Sequence, residues 1–154
     1  MVALRPTLDQ IGLEIAWVVS RRSTCLRRAV GAVLTDVHGR ILATGYNGVS
    51  RGLPHCNFED GMGRKPHACP GAVAASGTRL DDCDAIHAEA NALLQCTKID
   101  AIHTCYVTAS PCVSCTKLLS QTACQRIIFG ESYPAPRAEQ LWTKNGYREW
   151  LQLK

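Results

Sequence analysis

Leu8, Ile11, Ile15, Val18 and Val19 fall at intervals of three and four residues, the repeat of one face of an α-helix. Thr7 and Gln10 stand in front of them as a capping box. The pattern predicts a first amphipathic helix over Leu8–Arg21. Val30–Thr35 and Ile41–Tyr46 are short β-rich runs joined at Asp36–Gly39, which predicts a hairpin. From residue 47 to about 80 the periodicity stops. Gly and Pro accumulate there, together with His55, Cys56, His67 and Cys69, and loops of that length inside compact domains are usually functional. Ile86–Cys96 then reads as a helix, with Asp81, Asp82 and Asp84 ahead of it. A short strand is predicted at Tyr106–Thr108. Ser110-Pro111 starts a helix that runs to about Gln121, since Ser caps and Pro suits the first turn. Arg126–Phe129 is an apolar strand, Ala135–Lys144 a helix stopping near Gly146, and Tyr147–Leu151 a last strand. The order α-β-β-α-β-α-β-α-β predicts an α/β protein with a five-stranded mixed sheet between helices on both faces.

Composition adds limits to that picture. The chain has 154 residues, 46% of them hydrophobic and 19% charged, which suits one globular domain spanning 1–154. A net charge of +4 favours anionic ligands and falls short of a nucleic-acid-coating protein. No apolar run approaches the roughly 18 residues of a membrane span. Ile11–Val19 contains Glu14 and follows Asp9, a poor signal-peptide core, so a soluble cytoplasmic protein is expected. The nine cysteines are an odd count and point to metal binding or catalysis more than to a disulfide framework. Cys96, Cys105 and Cys124 sit in apolar periodic segments and read as small buried hydrophobes.

Two local patterns carry chemistry, His87-Ala88-Glu89 and Pro111-Cys112-Val113-Ser114-Cys115. Cys112 and Cys115, three apart at a helix start, present their sulfurs on one face, and the positive helix end favours their thiolates. Two thiolates and the His87 imidazole make a three-ligand zinc site with the fourth tetrahedral position left for water. Glu89, on the same helix turn as His87, is free to handle that water's protons, and zinc lowers the pKa of a bound water to about 7. A closed zinc ribbon would want a second Cys-x-x-Cys, which the chain lacks. A redox pair would not need His-x-Glu. The combination H-x-E…P-C-x-x-C is the recognised signature of zinc nucleobase deaminases.

The chain resembles the cytidine deaminase superfamily and, within it, the deoxycytidylate (dCMP) deaminases. The resemblance rests on Ser23-Thr24-Cys25, Val30-Gly31-Ala32, Gly45-Tyr46-Asn47-Gly48, His87-Ala88-Glu89-Ala90-Asn91-Ala92, Ser110-Pro111-Cys112-Val113-Ser114-Cys115 and Glu131-Ser132-Tyr133. It implies a three-layer α/β/α cytidine-deaminase-like fold. It also implies hydrolysis of dCMP to dUMP and ammonia, supplying dUMP for thymidylate synthesis. Water activated at the zinc attacks C4 of the cytosine, while Glu89 takes its proton, passes it to N3 and helps protonate the departing ammonia. Other readings of the same motifs are a zinc deaminase of tRNA adenosine, riboflavin precursors or modified dCMP, and a non-catalytic zinc-containing DNA-uptake module. Intact Glu89 argues against the last.

The resemblance extends to ligand contacts. Asn47 matches the family asparagine at the nucleotide sugar, although Asn-Gly is also a common turn pair. Ser110 and Tyr133 fall in substrate-binding matches, with a plain core tyrosine the alternative at 133. Lys98 lies where the family places a basic residue near the substrate phosphate; a lysine complementing the helix dipole is the other reading. Arg21, Arg22, Arg27 and Arg28 form a basic cluster that is either a solvated face or a phosphate site. Family members are commonly oligomers, often hexamers, activated by dCTP and inhibited by dTTP. Gly45, Tyr46, Asn47 and Gly48 resemble their regulatory nucleotide site, where Mg2+ would accompany the triphosphate. Cys25, Cys56 and Cys83 match a second, structural zinc site, with Cys69 or His67 as fourth ligand and His55 a weaker candidate; buried thiols are the other reading.

Overall fold

The computed structural model describes residues 4–57, 59 and 61–154. Its elements in chain order are α1 (Leu8–Ser20), β1 (Gly31–Thr35), β2 (Ile41–Tyr46), β3 (Gly48–Val49), β4 (Ala85–Ile86), α2 (Ala88–Gln95), β5 (Thr104–Ala109), α3 (Val113–Ser120), β6 (Arg126–Glu131), α4 (Pro136–Thr143) and β7 (Glu149–Gln152). Short 3-10 turns at Leu80–Asp82 and Ile99–Ala101 precede β4 and β5. The main sheet has the order β2-β1-β5-β6-β7. β1 is antiparallel to both β2 and β5, while β5, β6 and β7 run parallel. This is the expected mixed five-stranded sheet of an α/β/α sandwich.

Alternation along the central strands builds two cores, since successive side chains leave a strand on opposite faces. Val33, Tyr106 and Ile128 meet Ala16 of α1 on one face. Ala32, Leu34, Val107, Ile127 and Phe129 meet Ala88, Ala92, Leu119 and Trp142 of the other three helices on the opposite face. β1 and β5 are buried along their whole length, so the sheet centre is sealed and β5 is longer than the predicted Tyr106–Thr108.

α1 forms where expected. Thr7 Oγ1 accepts from the Gln10 amide at 3.1 Å, and Gln10 Oε1 accepts from the Thr7 amide at 2.8 Å, the reciprocal box that satisfies two free helix donors. Its buried face coincides with the apolar stripe only in part, through Ile15, which packs against the core. Gly12, Leu13, Ala16 and Ser20 face the sheet, while Leu8 and Val18 are 60% and 62% exposed. The cause is steric: a Cβ at Gly12 would lie 2.6 Å from the Tyr106 ring, so the bare backbone at position 12 is what lets this side approach the sheet.

The long loop is closed at its base by a ladder that periodicity does not reveal. Gly48 pairs with Ile86 and Val49 with Ala85, so Ile86 ends a strand and does not open α2. Gly71 N–H donates to Asp82 O at 2.7 Å, and Cys56 N–H to Thr24 O at 3.2 Å, tying the loop to itself and to the segment after α1. Cys105 and Cys124 are fully buried, as expected, and Cys96 is half-buried. No helix among the described residues is long and apolar enough to cross a membrane.

Arg126 joins both ends of the chain. It donates to Asp9 through two nitrogens at 3.0 and 2.7 Å and to Glu149 through Nε at 2.7 Å, while the Tyr106 hydroxyl donates to Asp9 at 2.9 Å. The Arg126 hydrogen bond, against the opposing effect of burial, holds the Asp9 carboxyl below its usual range. A depressed carboxyl stabilises the fold above its unfolded-state pKa and ceases to do so as pH falls through the folded one. Asp9→Asn is therefore expected to cost about 1–2 kcal/mol at pH 7. The difference from wild type should shrink towards pH 3, as urea denaturation at the two pH values would measure.

Candidate active site

Two helix starts converge on one point. β4 delivers His87, whose extended backbone (φ −66°, ψ 154°) makes it the N-cap of α2. β5 ends at Ala109, and the Ser110-Pro111 turn delivers Cys112 as the N-cap of α3 in a similar extended conformation. The Cys112 sulfur accepts the Cys115 amide at 3.5 Å, so one sulfur caps the helix that carries the other. His87 Nδ1 lies 3.4 Å from Cys112 Sγ and 3.5 Å from Cys115 Sγ. The three donor atoms all fall within 4.8 Å of one another.

These distances test the fit to a metal. A tetrahedral ion with metal–nitrogen and metal–sulfur bonds of about 2.05 and 2.3 Å has an N···S edge of roughly 3.6 Å. The two observed edges match it, and the borderline-soft donor set of one imidazole and two thiols suits Zn2+. The protein also prepares a thiolate. Hydrogen bonds from the Cys115 thiol, His87 and the Cys115 amide pull the Cys112 thiol down to about 4, against the effect of burial. The same neighbouring sulfur and burial push the Cys115 thiol up. The imidazole of His87 is raised, chiefly by its Cys112 contact.

Glu89 occupies the first turn of α2 at 3% exposure. Burial raises its carboxyl above the usual range, and the His87 charge and its own amide oppose this only in part. It lies against the Cys115 thiol and is not one of the three clustered donors.

The site floors an open cleft. Asn47, Ser110, Tyr133, Arg27 and Arg28 line its walls, and Ser76 and Leu80 of the long loop close one side. Asn47 is buried and held from several directions. Its Oδ1 accepts from the Ser23 hydroxyl at 2.6 Å and the Val30 amide at 2.8 Å, and its Nδ2 donates to Arg28 O at 2.7 Å. It has no positive φ, so the turn-asparagine alternative does not describe it. Ser110 Oγ accepts the Tyr133 amide at 2.7 Å. Arg27 Nη2 donates to Ala75 O at 2.6 Å and Thr78 O at 3.1 Å, drawing the loop over the rim. Ser76 and Leu80 had no signal in the sequence, because nothing local says where an aperiodic loop returns.

Other expected residues lie elsewhere. Lys98 is exposed beyond the C-terminal end of α2 and begins the next 3-10 turn, opposite the helix end that carries His87. It is not in the cleft wall. Arg21 and Arg22 are exposed at the end of α1 and also leave the wall to Arg27 and Arg28.

Gly45 does not offer backbone to a phosphate. A Cβ there would lie 2.3 Å from Ala88 O, so its bare backbone is used by α2. Gly48 is likewise covered, its Cβ position 2.8 Å from Thr24 Oγ1. Tyr46 and Gly48 instead border a second, more polar cleft with Arg51, His55 and Asn91.

The loop cysteines come together as a looser group. Cys69 exchanges thiol hydrogen bonds with Cys56 and Cys83, and Cys25 lies near enough to both Cys56 and Cys83 to disfavour their ionisation. His67 contributes its amide to His55 O at 2.8 Å and is itself exposed.

Fold and donor set together define an α/β/α protein with a zinc-type centre at two helix starts. Residues 6–131 match the family described as the cytidine and deoxycytidylate deaminase zinc-binding region, and the chain belongs to that family. It is 37% identical to the deoxycytidylate deaminase of Schizosaccharomyces pombe over 84% of this chain and 38% of that one. It is 39% identical to that of Mycobacterium phage D29 over 81% and 95%. The match thus spans less than two fifths of the yeast relative's length. A crystal structure of dCMP deaminase from cyanophage S-TIM5 with dCMP and dUMP superposes with a TM-score of 0.70 at 25% identity, over 97% of this chain and 99% of that one.

His87→Ala, Cys112→Ala and Cys115→Ala should each lower the zinc content of the purified protein by about one ion per chain, as elemental analysis of the folded variants would report.

Proposed function

We propose that the chain is a zinc-dependent hydrolase that converts dCMP and water to dUMP and ammonia. The observation that carries this reading is the placement of a buried, non-ligating carboxylate, Glu89, beside the His87–Cys112–Cys115 donors at the floor of a cleft with an arginine rim. When bound there, zinc supplies Lewis-acid activation of water near neutral pH. Glu89 does the proton work: its carboxylate accepts one proton from the attacking water and gives it to N3 of the ring, then takes the second from the new C4 hydroxyl and gives it to the amino group, so that ammonia leaves and C4 becomes a carbonyl. Asn47 keeps one amide N–H beyond its bond to Arg28 O, and that donor serves the sugar. Ser110 sets the Tyr133 backbone. The Tyr133 hydroxyl, kept protonated by burial, donates with Arg27 and Arg28 to the 5′-phosphate, the role first expected of Lys98.

The remaining features fit the same enzyme. Cys25, Cys56, Cys69 and Cys83 hold a second, structural zinc, with Cys69 rather than His67 as fourth ligand because its thiol already contacts two of the others. The second cleft beside Tyr46 takes the regulatory dCTP or dTTP with Mg2+, with Arg51 and His55 in its lining. The chain works in the cytoplasm as a homo-oligomer, a hexamer being the form the family resemblance favours.

Glu89→Gln should lower kcat by about 10²–10⁴-fold while zinc content and dCMP binding persist; turnover near the wild-type rate would refute the assignment. Wild-type protein should carry two zinc ions per chain, falling to one in Cys56→Ser with activity sites still loaded. A wild-type content of one would return the loop thiols to a packing role.

A further inference from the structure

At the cleft rim Arg28 Nη2 lies 2.5 Å from Glu131 Oε2. The two side chains are 30% and 54% exposed, and an ion pair so open to water is weak and readily exchanged. The backbones on either side are fixed. Asn47 holds Arg28 O, and Glu131 O accepts the Ser110 amide at 2.9 Å. Glu131 is the last residue of β6, paired in register with Ala109. The backbone that carries the carboxylate is therefore fixed, and the Arg28 contact places the carboxylate beside the wall that Arg28 and Tyr133 line.

Arg28 meets this anion through one nitrogen, while a guanidinium offers five N–H donors in a planar fork. A single phosphate can therefore share Arg28 with Glu131. A second phosphate, continuing outward from the first, would run against the carboxylate, and like charges so juxtaposed are strongly disfavoured. Arg27 is held towards the loop by its Nη2 bonds to the Ala75 and Thr78 carbonyls, so its remaining N–H groups serve the first phosphate.

We propose that Glu131 is a specificity-determining residue that limits the cleft to nucleoside monophosphates by placing a carboxylate where a second phosphate would extend from Arg28. This inference rests on the reading of Arg28 as a phosphate contact.

The test compares kcat/KM for deoxycytidine, dCMP and dCDP in wild type, Glu131→Gln, Glu131→Asp and Arg28→Gln. Glu131→Gln should raise the dCDP-to-dCMP ratio about tenfold or more, through KM, since the repulsion acts on binding. Glu131→Asp, which keeps the charge, should leave the ratio within a few-fold of wild type. A ratio unchanged in Glu131→Gln, or changed equally in Glu131→Asp, overturns the proposal. Arg28→Gln separates the underlying reading. A loss for dCMP of about tenfold or more, with deoxycytidine affected far less, keeps the phosphate at Arg28. Equal losses for deoxycytidine and dCMP remove the phosphate from Arg28, and the role of Glu131 falls with it.

Discussion

The arrangement on which the site depends is electrostatic: two helices begin at the same buried point. Placing two thiols, an imidazole and a carboxylate side by side under the sheet edge is costly in a medium of low dielectric. The free amides at the starts of α2 and α3 offset part of that cost, because helix N-termini favour negative charge. His87 and Cys112 are both cap residues with extended backbones, so their side chains swing off the helix axis towards each other. The Cys112–Cys115 hydrogen bond then makes one ligand the support of the next. Much of the fold serves this meeting. Gly45 lets α2 press onto β2, and the parallel pairing of β5 with β6 brings Ser110 and Tyr133 to the same edge.

What the sequence made legible follows the range of the forces involved. H-x-E and P-C-x-x-C could be read because cap positions and one helical turn set their geometry locally. The hairpin, α3 and the apolar strands were readable for the same reason. The face that α1 buries was not, because the Tyr106 ring and not the apolar stripe decides which side fits against the sheet. The β3–β4 ladder was invisible, since two-residue strands carry no period and their partners lie far apart in the chain. Lys98 lies outside the cleft wall because the helix between it and His87 carries it away from the site. Arg27 and Arg28 were noticed as a cluster, but only the fold separates them from Arg21 and Arg22.

The long loop shows how a segment without regular structure can still be placed. Its two ends are fastened by β3 and β4, its middle by the backbone hydrogen bond from Gly71 to Asp82, and its rim by the Arg27 guanidinium. Thiols from both of its arms, Cys56 and Cys83, contact the Cys69 thiol and lie near Cys25 of the segment after α1. Each fastening acts near a different part of the loop, so Ser76 and Leu80 are held over the cleft although only the short 3-10 turn that starts at Leu80 is regular there.

Asn47 has a consequence for what this position can accept. A backbone N–H such as that of Val30 only donates, and a carbonyl such as that of Arg28 only accepts, so the amide between them has a single permitted orientation. Aspartate has the same shape but would set an oxygen against the Arg28 carbonyl, and leucine would leave buried partners unmet. The residue is thus irreplaceable by shape or by charge alone. Whatever alters it alters together the segment after α1, the start of β1 and the backbone from which Arg28 emerges, so the fold and the cleft cannot drift apart at this point.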